Sequence, residues 1–118
     1  MSAAPGYFEA NPERHDLVTE QERGNRITYV GVERQMRAMA DYPTRVQLAA
    51  ITAPTLVVHG DRDGLIPLER GRELAESIPG ARWLIFPGVG HSPHIECTAA
   101  FDCAGLDFLA GQEVGEQI

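Results

Sequence analysis

The chain has 118 residues, of which 43% are hydrophobic and 7% aromatic, and its formal net charge is −7 at pH 7. This length allows one small domain at most, and this apolar content is typical of a packed protein rather than a disordered one. The acidic balance disfavours binding to nucleic acid or to an anionic membrane, because both of these partners are themselves negatively charged.

The N-terminus and the cysteine usage indicate a cytoplasmic protein. No basic start followed by an apolar run marks a secretory signal, and no apolar stretch approaches the roughly 20 residues that a membrane-spanning helix needs. Cys97 and Cys103 are the only cysteines. If both lie on the last helix, six residues of rise separate them by about 9 Å along the axis, too far for a disulfide. We therefore expect free thiols, buried or partly buried, in a reducing compartment.

The first part of the chain is predicted to be helical. Residues 1–26 are polar and punctuated by proline and glycine, which predicts short helical turns and loops. From residue 27 to 41 the apolar spacing i, i+4, i+7, i+8 predicts an amphipathic helix that Pro43 ends. Its apolar stripe consists of Val32, Met36, Met39 and Ala40.

Two faces of this predicted helix have alternative interpretations. We expect Met36 and Met39 to pack in a core or beneath a lid, and a lid over an apolar substrate would use the same residue types. We expect Arg34, Gln35 and Arg37 to form a solvated face, with the lining of a substrate cleft as the alternative.

Two apolar runs, residues 55–59 and 82–86, predict strands, and the first is a continuous β-branched run of the kind that is covered on both faces. Between them, Pro67 opens a helix that ends at Pro79 and Gly80. A closing helix ends at Gly111, and its apolar face consists of Phe101, Gly105, Phe108 and Leu109.

The order helix, strand, helix, strand, helix implies a right-handed parallel crossover, so the predicted fold class is α/β. Only two strands are predicted. The sheet is therefore expected to be incomplete, because the outer edge of its first strand has no partner.

Polar residues follow each predicted strand at its carboxyl end, where open parallel sheets gather their chemistry. Asp61 and Asp63 lie in the loop after the first strand, and His91 lies in the loop after the second. A carboxylate that accepts from the imidazole Nδ1 fixes its tautomer and leaves Nε2 free to take a proton from a nucleophile. We expect these two loops to meet.

Three segments together resemble the C-terminal part of an α/β-hydrolase: Pro54-Thr-Leu-Val-Val-His-Gly-Asp-Arg-Asp-Gly-Leu-Ile-Pro67, Ile78-Pro-Gly-Ala81 and Gly88-Val-Gly-His-Ser-Pro-His-Ile-Glu96. The match runs from about Leu48 to Leu109, with several motifs in the same order and spacing. The resemblance implies that Asp63 is the acid and His91 the base of a catalytic triad. Thr98 departs from the proline that related sequences often have near this position, which affects only the local turn.

The resemblance also implies a division of the chain. Residues 1–47 resemble, more loosely, the lid that precedes this part in esterase- and lactonase-like members, and residues 48–118 resemble the segment that carries the acid and histidine loops. No cofactor is implied. The implied substrate is a small ester or lactone, and no nucleic-acid or membrane partner is expected.

Neighbouring polar residues have simpler explanations. Asp63 before Gly64 taken alone is a turn former, and Asp61 is expected to cap its loop by accepting from backbone N–H groups. We expect His59, at the strand end, to be packed. His94 lies near His91, but no third ligand stands at a spacing that zinc requires, so no metal site is predicted.

A nucleophile is not recognisable. The chain contains no Gly-x-Ser-x-Gly turn, and Ser2 and Ser77 lack the glycine-flanked strand end that exposes a nucleophilic serine. Ser92 follows His91 directly, and adjacent loop residues rarely point at each other. Neither cysteine has an obvious base beside it.

We therefore interpret the chain as the acid- and base-bearing part of a serine-type hydrolase of carboxylic-ester-like bonds, with the nucleophile outside these residues and the chain inactive alone. One alternative is an inactive truncated or split-chain module that needs a partner polypeptide, such as the missing N-terminal half. Another is a small non-catalytic binding module.

Overall fold

The structure is a computed structural model that describes residues 3–23, 28–40 and 45–118. Its described strands all lie from residue 56 onward, with helices between them. The described helices are α1 Tyr7–Ala10, α2 Pro12–Arg23, α3 Tyr29–Ala40, α4 Arg45–Leu48, α5 Leu68–Ser77, α6 Pro93–Glu96 and α7 Thr98–Leu109. The described strands are β1 Leu56–Gly60, β2 Arg82–Phe86 and β3 Glu116–Gln117.

Strands β1 and β2 run parallel, in a register that pairs Val58 with Leu84 and Gly60 with Phe86. This confirms the predicted parallel pair, although β1 begins and ends one residue later than the apolar run suggested. Helix α5 connects the two strands and begins directly after Pro67, as predicted. The core lies between this helix and the sheet and consists of Val57, Ala75, Ile78, Ala81 and Trp83, against which Leu48, Ile51 and Leu68 pack.

A third strand, β3, pairs antiparallel with the start of β2 through Arg82 and Trp83. Its two residues are exposed and polar, so no apolar pattern indicated it. The Arg82 guanidinium binds the segment that precedes β3: its Nε donates to the carbonyl of Val114 and its Nη2 donates to the carbonyl of Gly115, each at 2.6 Å. The sheet therefore has three strands in the described part of the chain, one more than the pattern predicted.

Strand β1 lies at one edge of the sheet, because the strand order is β1-β2-β3. Within the described ranges it pairs with β2 alone. Among the described residues the outer edge of β1 is therefore unpaired, as expected from the sequence, and a strand edge of this kind can pair with another strand.

The helical first half is less packed than predicted. Helix α3 contributes no buried residue, and the side chains of Met36 and Met39 are 67% and 78% exposed. The packing predicted for these methionines is therefore wrong within the described chain. Arg37 donates to Glu33 at 2.9 Å on the helix surface, as expected of a solvated face. The helix end predicted at Pro43 lies outside the described residues.

Helix α2 is also longer than the short turns predicted for residues 1–26, since it spans 12 residues. It begins at Pro12, whose fixed φ and missing N–H suit the first position of a helix. In the parts of the chain that the structure describes, no helix is both long and apolar enough to cross a bilayer.

Both cysteines are free, as predicted. Cys97 is partly buried and donates through Sγ to the carbonyl of Pro93. Cys103 is exposed, so the expectation of burial is wrong for this residue.

Candidate active site

The loops that follow β1 and β2 are joined through their backbones. The N–H of Asp61 donates to the carbonyl of Phe86, and the N–H of Arg62 donates to the carbonyl of Val89 at 2.9 Å. Gly60 lies so close to the second loop that a Cβ there would collide with the carbonyl groups of Val89 and Gly90. The end of β1 therefore needs glycine. The two loops lie together at the edge of the sheet where the carboxyl ends of β1 and β2 meet, which we call the rim.

Asp63 uses its two carboxylate oxygens for different purposes. Its Oδ1 accepts from the backbone N–H groups of Leu65 at 2.8 Å and Ile66 at 2.9 Å, which closes a turn. Its Oδ2 lies 2.8 Å from Nδ1 of His91. The turn-forming explanation of Asp63 is thus correct, and the same side chain also binds the histidine.

The environment keeps Asp63 ionised. Its side chain is only 5% exposed, and this burial alone would raise the pKa of the carboxyl group. Hydrogen bonds from Ile66, His91 and Leu65 outweigh burial, so the pKa of Asp63 is lowered from its ordinary value. An ionised carboxylate only accepts hydrogen bonds, and His91 Nδ1 is therefore the donor of this pair.

His91 presents the opposite side of its ring for chemistry. Its side chain is 38% exposed, whereas its partner Asp63 is almost fully covered. Because Nδ1 carries the proton that Asp63 accepts, Nε2 of the neutral ring has a free lone pair. No described residue forms a hydrogen bond with Nε2. This arrangement suits a general base.

Asp61 has the structural role predicted for it. Its Oδ1 accepts from the backbone N–H of Gly88 at 2.7 Å, which fastens the first loop to the second. Gly88 adopts φ of +73°, a left-handed conformation that glycine tolerates best. Asp61 therefore stabilises the rim, while Asp63 is the carboxylate that reaches His91.

The other two histidines near the rim, His59 and His94, have their own contacts. His59 is buried, as predicted, and its Nε2 donates to the carbonyl of Ile66 at 3.0 Å. Its Nε2 also lies 3.5 Å from Asp63 Oδ2. His94 is exposed and lies edge-on to Phe101, with ring centroids 6.1 Å apart. Among the described residues, no three His, Cys, Asp or Glu side chains form a group that could hold a metal ion.

The described serines and the partly buried thiol are poorly suited to act as the nucleophile. Ser92 is 4% exposed, and Ser77 donates through Oγ to the carbonyl of Glu73 within α5. Burial, and secondarily the charge of Glu96, raise the pKa of the Cys97 thiol, which lowers its reactive thiolate fraction. Ser2 lies outside the described residues.

A cleft of about 360 Å³ opens beside this pair. It runs along β1 and is lined by side chains from the first strand, α5 and the start of α7, including Val58, Ile66, Leu74 and Phe101. Both Asp63 and His91 face it, and most of its other lining is apolar. A larger cavity of about 620 Å³ beside the N-terminal segment contains neither residue, so it is not the site of this chemistry.

Glu96 is a residue of the rim that sequence reasoning quoted in a motif without giving it a role. Its carboxylate accepts from the backbone N–H groups of Ala4, Gly90 and Ser92. Its position four residues after Ser92, one helical turn away, was the sequence signal that could have indicated its contact with the Ser92 N–H. The contact with Ala4 is 92 residues distant in sequence and had none.

Residues 11–97 match the sequence profile of the alpha/beta hydrolase fold. The chain is 40% identical over 73 residues to a 2-hydroxy-6-oxononadienedioate/2-hydroxy-6-oxononatrienedioate hydrolase of Cupriavidus pinatubonensis, covering 62% of this chain and 25% of that protein. It is 32% identical over 76 residues to a non-heme haloperoxidase of Rhodococcus erythropolis, covering 64% and 27%. The chain thus spans about a quarter of the length of these relatives.

Solved structures of other proteins have the same fold as this chain. An esterase from Exiguobacterium antarcticum superposes with a TM-score of 0.63 and 28% identity, covering 68% of this chain and 30% of that one. A thermophilic esterase from Thermogutta terrifontis superposes with a TM-score of 0.74 over 93% of this chain and 40% of that one. At 24% identity, the second likeness concerns the fold alone.

Proposed function

The chain belongs to the α/β-hydrolase family, and we propose that it supplies the acid and the base of a serine-type hydrolase that cleaves carboxylic-ester-like bonds. The nucleophile comes from polypeptide outside these 118 residues. In this proposal residues 1–47 contribute a lid, and residues 48–118 contribute the acid and histidine loops.

One observation carries the proposal: the 2.8 Å contact between Asp63 Oδ2 and His91 Nδ1 at the carboxyl ends of two parallel strands. In the proposed reaction, His91 Nε2 takes the proton of a serine hydroxyl as the serine oxygen attacks the ester carbonyl. The same Nε2–H then protonates the departing alkoxide, which leaves an acyl-enzyme. His91 next deprotonates a water molecule that releases the acid and restores the serine.

Asp63 contributes by holding the imidazole in the tautomer with Nδ1 protonated and by stabilising the imidazolium that forms. Its lowered pKa supports this role, because the carboxylate stays charged while the imidazole gains a proton. The proposal needs no metal or cofactor, since proton transfer and covalent catalysis use side chains alone.

The ester class of substrate is proposed from the relatives and from the cleft. The solved relative from Exiguobacterium antarcticum, 28% identical, is an esterase, and the cleft beside His91 is mostly apolar, as an acyl or alkyl group requires. The alternative reaction is hydrolysis of a carbon-carbon bond in a diketone, which the family resemblance also implies. One relative is named as a 2-hydroxy-6-oxononadienedioate/2-hydroxy-6-oxononatrienedioate hydrolase, so substrates other than simple esters belong in the test.

We propose that the segment carrying the nucleophile docks at the outer edge of β1. That edge is unpaired in the described chain, and the cleft opens along the same strand. A strand added there would bring the groups at its carboxyl end to the rim that holds His91. The chain alone would then be inactive toward esters.

The test is complementation. The chain is co-expressed with a nucleophile-bearing segment, taken from the reading frame upstream of the Met1 codon or from the Exiguobacterium antarcticum esterase as a surrogate. Hydrolysis of p-nitrophenyl acetate is expected from the pair and not from either part. His91→Ala and Asp63→Asn should each lower kcat by about a thousandfold or more.

Matched controls separate this result from general damage. His15→Ala removes an exposed histidine of α2, and Asp61→Asn removes the neighbouring carboxylate while keeping an oxygen that accepts from Gly88. Both controls should keep most of the activity. Ester turnover by the chain alone that Ser92→Ala abolishes would show that the nucleophile lies within it and would overturn the proposal.

A second candidate is a non-catalytic module that binds a partner polypeptide. The exposed apolar side chains of α3 favour it, since Tyr29 is 85% exposed and Met39 is 78% exposed. This candidate requires the chain to fold alone. A sharp, cooperative thermal transition of the isolated monomer, with no activity after complementation, would support it over the hydrolase.

A further inference from the structure

The backbone on both sides of His91 is bound by one carboxylate. The N–H of Gly90, the preceding residue, lies 3.0 Å from both oxygens of Glu96. The N–H of Ser92, the following residue, lies 3.3 Å from Glu96 Oε2. These two peptide groups flank the histidine, so Glu96 restrains the backbone that aims the imidazole.

The short helix α6 makes this contact possible. The N–H groups of Ile95 and Glu96 both donate to the carbonyl of Ser92, which turns the chain back on itself. One helical turn therefore returns the Glu96 carboxylate to the amides that precede α6. A carboxylate is suited to this position, because it offers two acceptor oxygens and no donor that would repel an N–H group.

The same carboxylate joins the histidine loop to the N-terminal segment. Glu96 Oε1 also accepts from the N–H of Ala4 at 2.9 Å, and the Tyr7 hydroxyl donates to the carbonyl of Ile95 at 2.8 Å. Ala4 is buried, and a Cβ added to Gly90 would collide with the backbone of Ala3 and Ala4. This segment leads directly into α1 and α2.

We propose that Glu96 is a positioning residue for His91, and that it holds the base and the stem of the helical N-terminal segment in one fixed arrangement. The inference rests on the proposed function, since it assigns Glu96 a role through His91. Glu96 touches neither the Asp63 carboxylate nor the ring of His91 through any described hydrogen bond. Its effect on the imidazole is transmitted by the backbone.

The first test follows His91 by NMR in the isotopically labelled 118-residue chain. Glu96→Gln keeps the shape of the side chain but replaces one acceptor oxygen with an NH₂ group. Hydrogen exchange of the Gly90 and Ser92 amides should accelerate by about tenfold, as expected for the loss of one hydrogen bond. The low-field His91 Nδ1–H resonance should weaken or move, while the amides of the β1–β2 ladder keep their protection.

Glu20→Gln is the matched control, because Glu20 is an exposed glutamate of α2. It should leave all of these signals unchanged. If Glu96→Gln prevents folding, Glu96→Asp is measured instead, since it keeps the charge and withdraws the carboxylate by one methylene. An unaltered His91 Nδ1–H resonance in a folded Glu96 variant would show that Glu96 does not position His91, and would overturn the proposal.

The link to the N-terminal segment has a separate variant. Tyr7→Phe removes the hydroxyl that donates to Ile95 and leaves the Glu96 carboxylate in place. It should accelerate exchange of the Ala4 amide and leave those of Gly90 and Ser92 protected. Equal acceleration of hydrogen exchange at the Ala4, Gly90 and Ser92 amides would mean that the Tyr7 hydroxyl is needed to restrain the histidine loop. That result would contradict the role given to the Glu96 carboxylate.

Activity distinguishes this inference from the proposed function. In the complemented enzyme, Glu96→Gln should lower kcat by about tenfold or more with little change in KM, because an aimed base acts in the chemical step. If the wild-type complemented pair is inactive, the proposed function is refuted. The NMR signals of His91 test the positioning role of Glu96 separately, because they do not depend on turnover.

Discussion

Asp63 and His91 are 28 residues apart in the chain, yet Oδ2 of the first and Nδ1 of the second lie 2.8 Å apart. The parallel register, which pairs Gly60 with Phe86 at the ends of β1 and β2, brings their loops together. Asp63 at the same time accepts from two backbone N–H groups of its own turn. The geometry of this turn and the orientation of the imidazole therefore depend on one carboxylate.

The lowered pKa of Asp63 predicts a loss of stability in acid. Folding favours the ionised form, so the contribution of this carboxyl to the free energy of unfolding is fully present above the pKa of an unfolded aspartate, about 3.9. That contribution is lost as the pH falls through the folded-state pKa. Urea unfolding from pH 7 down to acid should therefore show a steeper loss for wild type than for Asp63→Asn. Parallel curves for the two proteins would contradict the prediction.

Two helical glycines should respond to alanine in opposite directions. A Cβ at Gly71 in α5 would collide with His59 Nδ1 and lie 2.7 Å from Cη2 of Trp83, and both of these side chains are buried. Gly71→Ala should destabilise the fold by at least about 1 kcal/mol. Apart from its chain neighbours and the backbone of its own helix, no atom of the described residues lies within 4 Å of the Cβ position of Gly105 in α7. Gly105→Ala should stabilise by up to about 1 kcal/mol, because alanine is the better helix former.

Chemical denaturation of the two glycine variants and wild type measures both effects. Similar changes in both variants would mean that the close packing around Gly71 does not control its response.

The two cysteines should differ in reactivity. Cys103 is exposed, whereas Cys97 is partly buried and burial raises the pKa of its thiol. Near neutral pH, Ellman's reagent should therefore modify Cys103 at least about tenfold faster than Cys97. Cys103→Ser should remove the fast phase and Cys97→Ser the slow one. A fast phase that persists in Cys103→Ser would contradict the structure.

Arg82 should control the attachment of β3. Its guanidinium donates to the carbonyls of Val114 and Gly115, and β3 pairs with β2 through only two register positions. Arg82→Ala should destabilise the chain by about 1 to 2 kcal/mol and expose the C-terminal residues to carboxypeptidase. Arg72→Ala is the control, because Arg72 forms an exposed ion pair with Glu76 on α5 that is worth only about 0.5 kcal/mol.

The sequence determined the features that depend on neighbouring residues. Apolar runs bounded by proline and glycine predicted the bounds of β2 as they are observed and those of β1 to within one residue, and Pro67 marked the start of α5. The motif spacing also indicated the family, which the sequence profile match over residues 11–97 confirms. These successes share a cause, since strand formation and helix starts follow from local patterns of hydrophobicity and backbone restriction.

The tertiary structure decided the features that depend on contacts between residues far apart in the sequence. The sequence predicts a loop cap at Asp61 and the acid at Asp63, and the fold adds the atoms involved: Asp61 Oδ1 binds the N–H of Gly88 in the other loop, and Asp63 Oδ2 lies 2.8 Å from His91 Nδ1. Strand β3 has no apolar pattern and depends on Arg82, more than 30 residues earlier. The exposure of α3 and the contact of Glu96 with Ala4 likewise depend on which segments meet in space, a property that local patterns do not encode.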